Sequence, residues 1–270
     1  MRHFGVERLA LGLALASGGG CALGDGQPWG VVEIGVSVRF APPSSRLDDD
    51  GRLKTANDYR VAIEEIVVVG RETRLPLLAD ASAAFDPGDP PEGYSLCHNG
   101  HCHADSGALV DYAAIAAELA SSSRGAAIAV ALAGDANVVA TPTAFATEGC
   151  EGGCLAPPGL ITTAVVSFAV VRVRGRAFDA RTGDLARIDA SGVAFELETP
   201  SAVSIAGELS EEERFGAGNR NDVLMNIDVL LSDRILDDLD FSSLSEIERI
   251  GGTEMADAIS GSTLEISTSH

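Results

Sequence analysis

Apolar residues occupy every second position in two well-separated stretches of this chain, and that period of two commits both to β-structure. Val32, Ile34, Val36, Val38 and Phe40 alternate with Glu33, Gly35, Ser37 and Arg39, and Val223, Met225, Ile227, Val229 and Leu231 repeat the pattern far downstream. Successive side chains of a strand leave opposite faces, so each stretch reads as a strand with one face in a core and one in water. A second strand is predicted from about Tyr59 to Val69, with a bulge where the alternation slips at Glu64-Glu65. Ile161 to Gly175 is apolar on both faces at first and reads as a central strand covered on both sides. Shorter strands are expected at Ile128/Val130/Leu132, Val193/Phe195/Leu197 and Val203/Ile205, with an edge strand at Thr263 to Ser267.

Two helices are predicted. Leu109, Tyr112, Ala113, Ala116 and Leu119 recur with helical period, which places a helix over Leu109 to Ala120. Ser232 is a suitable N-cap for a short helix through Asp233 to Leu239. Two long irregular segments, Asp80 to Gly93 and Asp135 to Gly159, lead to or carry cysteines. Many short strands, two helices and no βαβ alternation argue for a mainly β fold. The expected architecture is an antiparallel β-sandwich of about seven to nine strands with two short helices and long Cys-bearing loops.

Seven residues stand apart from this scaffold. Cys97-His98-Asn99-Gly100-His101-Cys102-His103 holds three of the five histidines and two of the five cysteines. Asn-Gly favours a two-residue type I′ hairpin turn, because both turn positions need positive φ. His98 would then face His101 across the strands, and Cys97 would face Cys102. The alternation of faces puts His98, His101 and His103 on one side and the sulfurs on the other, as a close non-hydrogen-bonded pair. Neutral imidazole suits copper and zinc, and three imidazoles with water form an open zinc arrangement. The expected metal ligands are therefore His98, His101 and His103, with copper preferred to zinc because thiols lie nearby and the protein is expected to be extracytoplasmic. The plain alternative is a disulfide-closed surface loop with solvated histidines. A further alternative is haem: Cys97 to Cys102 followed by His103 gives C-x4-C-H, which resembles a stretched form of the C-x-x-C-H attachment motif of c-type cytochromes. That resemblance implies Cys97 and Cys102 on the vinyl groups and His103 as the proximal ligand.

Cys150 and Cys154 flank Glu151-Gly152-Gly153. A local disulfide is the favoured reading, beside two others: thiolates brought to the histidines as soft ligands, or a crossed pairing such as Cys97 with Cys150. Asp48-Asp49-Asp50-Gly51 reads as an acidic turn rather than a calcium loop, since it lacks EF-hand spacing. Glu211-Glu212-Glu213 reads as a solvated face. Asp228, Asp233, Asp237, Asp238 and Asp240 are expected to cap or complement a helix start. The chain has no G-x-S-x-G elbow, H-E-x-x-H or P-loop, and it is expected not to be an enzyme.

The formal net charge is -21, from 40 Asp and Glu against 19 Lys and Arg. Nucleic acid and anionic headgroups need basic contacts, so neither is an expected partner. The N-terminus reads as an export signal over residues 1–20: a basic start at Arg2 and Arg8, then a short apolar core from Leu9 to Ala16. Cys21 resembles the lipid-attachment cysteine of bacterial lipoproteins, with Gly19 and Gly20 as the small residues before it. Gly18 departs from the aliphatic residue usual there, which leaves ordinary cleavage after Ala16 or Ala22 as the alternative. Without Cys21 the remaining four cysteines form an even set, as suits an oxidising compartment. Residues 21–29 would be a tether and residues 30–270 a single domain.

The order of elements resembles that of exported bacterial lipoproteins with transthyretin-like or immunoglobulin-like sandwiches, and is similar to secreted copper-associated proteins of the methanobactin-operon type. The features shared are the exported N-terminus, paired early strands, a Cys-bearing loop and the late strand around Ile227-Asp228-Val229 entering a short helix. The expectation is an exported metal-binding protein for copper or zinc capture, delivery or sensing. It would sit at the periplasmic face of the outer membrane or the cell surface, on a lipid anchor at Cys21. Its competitors are a disulfide-stapled structural or adhesive module and a haem redox carrier.

Overall fold

The computed structural model describes residues 30–78, 87–88, 90–91, 93–115, 118, 127–139, 141–157, 159–215, 221–243 and 247–270. The export signal, tether and Cys21 assignments lie outside these residues, as does most of the segment from Asp80 to Gly93. The fold is mainly β, as the alternation requires. Among the described residues twelve strands form one curled sheet and three form a small second sheet.

Two long strands make the backbone of the large sheet. β3 (Tyr59–Leu78) and β11 (Gly159–Asp179) run antiparallel along almost their whole length, and the short β2 (Leu53–Lys54) pairs with the start of β3. On its other edge β11 pairs with β12 (Val193–Glu198) and β13 (Val203–Phe215), so it is central in the sheet, but the expected cover on both sides is not found: Ile161, Ala164, Val166, Phe168, Val171 and Val173 are buried, whereas Leu160, Val165 and Val170 on the other face are half-buried. The predicted bulge is present: Arg174 pairs with Glu65 and Gly175 with Ile63, which leaves Glu64 as the extra residue.

The other half is built on β1 (Gly30–Arg39). It pairs in parallel with β14 (Asn221–Leu230) over its full length, and β14 pairs antiparallel with β15 (Thr263–Ser269). The parallel pair departs from an all-antiparallel expectation. Between the halves lie β7 (Ala127–Ala133), β8 (Asp135–Asn137), β9 (Thr143–Glu148) and β10 (Cys154–Ala156). The predicted loop from Asp135 to Gly159 is thus largely strand. Its residues are short and mixed in polarity, and they are extended because neighbouring strands supply ladder partners. β9 joins the halves: Thr143, Ala144 and Phe145 pair with β1, whereas Ala146, Thr147 and Glu148 pair with β7.

The apolar faces of both halves enter one core. Val36, Ile227 and Leu264 belong to the same buried cluster as Val68, Phe168, Val173 and Ile205. Curling brings β13 against β15 so closely that a Cβ on Gly207 would stand 2.6 Å from Leu264 Cβ. Any larger side chain at 207 would force the faces apart.

Two local expectations are corrected. Residues 233–238 form turns, not a helix. The aspartates there are held by side chains instead of serving a helix dipole. Arg46 binds Asp233 at 3.1 Å and Asp237 at 2.6 Å, and the Tyr59 hydroxyl donates to Asp240. Further along, a π-helical turn at Ile247–Gly251 leads into the helix α1 (Gly252–Ser260), which buries Met255 and Ile259. The acidic run is not wholly solvated either. Glu213 is buried, 3.6 Å from the His270 ring. The acidic turn at Asp48 is as read: its carboxylate accepts from the backbone N–H of Asp50 and Arg52.

Candidate metal centre

The small sheet consists of β4 (Tyr94–His98), β5 (His101–Ala104) and β6 (Leu109–Asp111), in that spatial order. Asn99 and Gly100 have φ of 50° and 88°, which a type I′ turn demands of both its central residues. His98 pairs with His101, and Cys97 is disulfide-bonded to Cys102 with Cα atoms 4.0 Å apart. Imidazoles and sulfurs therefore leave opposite faces, as the alternation predicts.

The sulfur face is the dry one. Cys102 and Ile115 are fully buried and pack with Tyr94, Cys97, Val110 and Tyr112 in a cluster distinct from the main core. Ile115 comes from a helix that begins at residue 112, not at Leu109 as its periodicity suggested. Leu109 to Asp111 is strand because β5 offers a free ladder edge and Gly107, with φ of 83°, turns the chain back onto it. The Tyr94 hydroxyl donates to Glu118 at 2.6 Å, which ties helix to sheet. That hydrogen bond is the main reason the phenol is pushed above its ordinary range.

The imidazole face is open to water. His98 is exposed and His101 and His103 are half-buried. One ligand nitrogen from each ring can be chosen so that all three lie within 4.8 Å of one another. His98 Nε2 and His103 Nε2 stand 3.3 Å apart. A tetrahedral ion with bonds of about 2.0–2.1 Å separates two of its nitrogens by about 3.4 Å, so this pair already spans one edge of such a site. Ring centroids are 4.7 Å apart for His98–His101 and 5.9 Å for His101–His103, near enough for ring rotation to bring in the third nitrogen. The donor set suits an ion that accepts imidazole, copper or zinc included. Asn99 Nδ2 lies 3.3 Å from His98 Nδ1. With the amide turned over, its oxygen would accept the Nδ1–H that the ring must carry when Nε2 binds metal.

The remaining predicted site residues do not join this group. Cys150 is disulfide-bonded to Cys154, the local pairing favoured from sequence. With all four cysteines in disulfides, neither the thiolate-ligand option nor the crossed pairing holds. The preference for copper that rested on nearby thiols loses its ground. The haem option is corrected for the same reason: Cys97 and Cys102 have no free thiol to add to a vinyl group.

Sequence reasoning missed two features here. Leu96, with φ of 44°, bulges β4 between Ser95 and His98, so that the turn and the far end of the hairpin have different registers. Asp111, read as helical, lies instead in β6 directly opposite His101. The Asp105-Ser106-Gly107 turn signal so soon after His103 could have exposed it. Comparison with protein-family models, with curated proteins and with solved structures finds no match.

Proposed function

We propose that this protein binds a copper or zinc ion through His98, His101 and His103, and works in metal capture, delivery or sensing rather than in catalysis. The observation that carries this reading is the convergence of three ring nitrogens within 4.8 Å on a hairpin closed from behind by a disulfide. A disulfide clasp holds the rings in one register before any ion arrives, which lowers the ordering cost of binding. The two disulfides also support an oxidising, extracytoplasmic setting, with attachment through Cys21 as the proposed anchor. Among the described residues no helix is long and apolar enough to cross a membrane. The scaffold is best read as a single β-sandwich domain. Its two halves share one core, and β9 passes from one half to the other, as corner strands do in packed sheets.

Metal content of protein purified from copper- and zinc-replete medium tests the proposal. About one equivalent is expected, because a built site survives purification, and the triple His98→Ala/His101→Ala/His103→Ala variant should retain the fold with under about a tenth. Equal metal in both proteins would refute the ligand assignment. Absence of metal from the unaltered protein would favour a disulfide-stapled surface module.

A further inference from the structure

We propose that Asp111 is a fourth ligand to the same ion, so that the centre is a closed cage of three imidazoles and one carboxylate. This rests on the metal-binding reading above and specifies what kind of site it is.

Backbone hydrogen bonds place Asp111 beside the histidines. β6 pairs His101 with Asp111, Cys102 with Val110 and His103 with Leu109. Tyr112 N–H donates to Gly100 O at 3.0 Å, and Ala104 N–H donates to Ala108 O at 2.8 Å. Hydrogen-bonded and non-hydrogen-bonded pairs alternate along an antiparallel ladder, so His101–Asp111 is a non-hydrogen-bonded pair. Its Cα atoms stand about 4.5 Å apart and its side chains leave the same face at closest approach. The face opposite the buried Cys102 therefore carries His98, His101, His103 and, one strand further out, Asp111 and Leu109.

Reach and charge both favour the assignment. Among the described residues the three rings alone make up the group gathered within 4.8 Å, so the carboxylate must swing inward. Asp111 is exposed, and a turn about its first side-chain torsion needs no repacking of the core. Carboxylate oxygen binds zinc at about 2.0–2.2 Å, alongside imidazole in the same tetrahedron. Three neutral imidazoles leave a divalent ion with its full charge, and one aspartate halves it. The chemical consequence is decisive for function. Three histidines and a water would keep an exchangeable position of the catalytic type, whereas a fourth protein ligand closes the shell, as structural and carrier sites do.

Cobalt(II), a coloured stand-in for zinc, tests this in the full chain. Co2+ and Zn2+ affinities would be measured by competition with a chromophoric chelator, and the visible Co2+ spectrum recorded with and without azide. Asp111→Asn and Asp111→Ala should each bind both ions at least about tenfold more weakly, the size seen even for outer-shell losses. The unaltered protein's spectrum should ignore azide, and that of Asp111→Ala should shift as the anion fills the vacated position. Asp105→Asn, at the far turn of the same sheet, controls for charge alone and should behave as the unaltered protein does. Unchanged affinity in both Asp111 variants, or an azide-sensitive spectrum in the unaltered protein, would overturn the proposal while the histidine assignment stands. An unaltered protein that takes no Co2+, Zn2+ or Cu2+ at all would overturn both.

Discussion

The two sheets hold themselves together by different means. In the large one, β1, β3, β11, β13, β14 and their neighbours bury one face each, and the resulting cluster runs from Val32 to Leu264. Among the described residues the small one has two fully buried apolar side chains at its centre, Cys102 and, from the adjoining helix, Ile115. Three short strands with so little to bury cannot offset the cost of ordering them. A covalent clasp across the hairpin compensates by removing open conformations of that loop. The contrast teaches how stability and chemistry are separated here. The region with the reactive side chains keeps its polar face wet because its shape does not depend on burying that face.

Three experiments would break or sharpen that contrast. The largest effect belongs to the large sheet. Phe168 is fully buried on the central strand β11, and Phe168→Ala should cost about 3–5 kcal/mol in a denaturant melt. A loss below about 1 kcal/mol would mean that the core is not where stability resides. Next comes the clasp. Replacing Cys97 and Cys102 together with Ala should loosen the hairpin by about 2 kcal/mol, the closure term for so short a loop. Faster amide exchange is expected over residues 94–111 together with weaker metal binding, while the global melt stays within about 0.5 kcal/mol. A global shift as large as the local one would show that the two sheets unfold as a unit.

The smallest effect is a pH dependence confined to the large sheet. Burial, aided by its bond to the Asp240 carboxylate, pushes the Tyr59 phenol up to about 12. A raised value in the folded state means that this contribution is complete below the ordinary 10.0 and is lost as pH climbs from there toward 12. Asp179 moves the other way. Hydrogen bonds from Arg181 hold its carboxyl below the usual 3.8, so its contribution is present above that value and fades as the solution becomes more acid. Tyr59→Phe should cost about 1 kcal/mol at neutral pH and flatten the alkaline limb. An alkaline limb that persists in Tyr59→Phe would assign the transition to another group.

What was legible in the sequence follows the same division. Val32 to Phe40, Ile161 to Gly175 and Val223 to Leu231 announce their strands because each is long and buries a regular face. Asn99-Gly100 announces the hairpin because so few residue pairs tolerate two positive φ values, and with it the grouping of His98, His101 and His103. The failures lie where pairing partners, not local pattern, decide. Leu109 to Asp111 has helical spacing but is captured by the edge of β5. β8 and β9 carry little alternation and are extended only because β3, β7 and β1 hold them. Asp233 to Leu239 has a good N-cap in Ser232, yet Arg46, Tyr59 and Asn57 draw its polar groups and carbonyls outward into turns.

The parallel union of β1 with β14 sets a timetable for folding. Ser37 and Asp228, bonded across that pair, are 191 positions apart. A ribosome delivers β1 early, and that edge of it has no native neighbour until β14 has been made. Contacts of such long range form slowly, since a large loop must close before they bring any gain. A polypeptide cut short before Asn221 would expose β1's outer backbone edge as a template for aggregation.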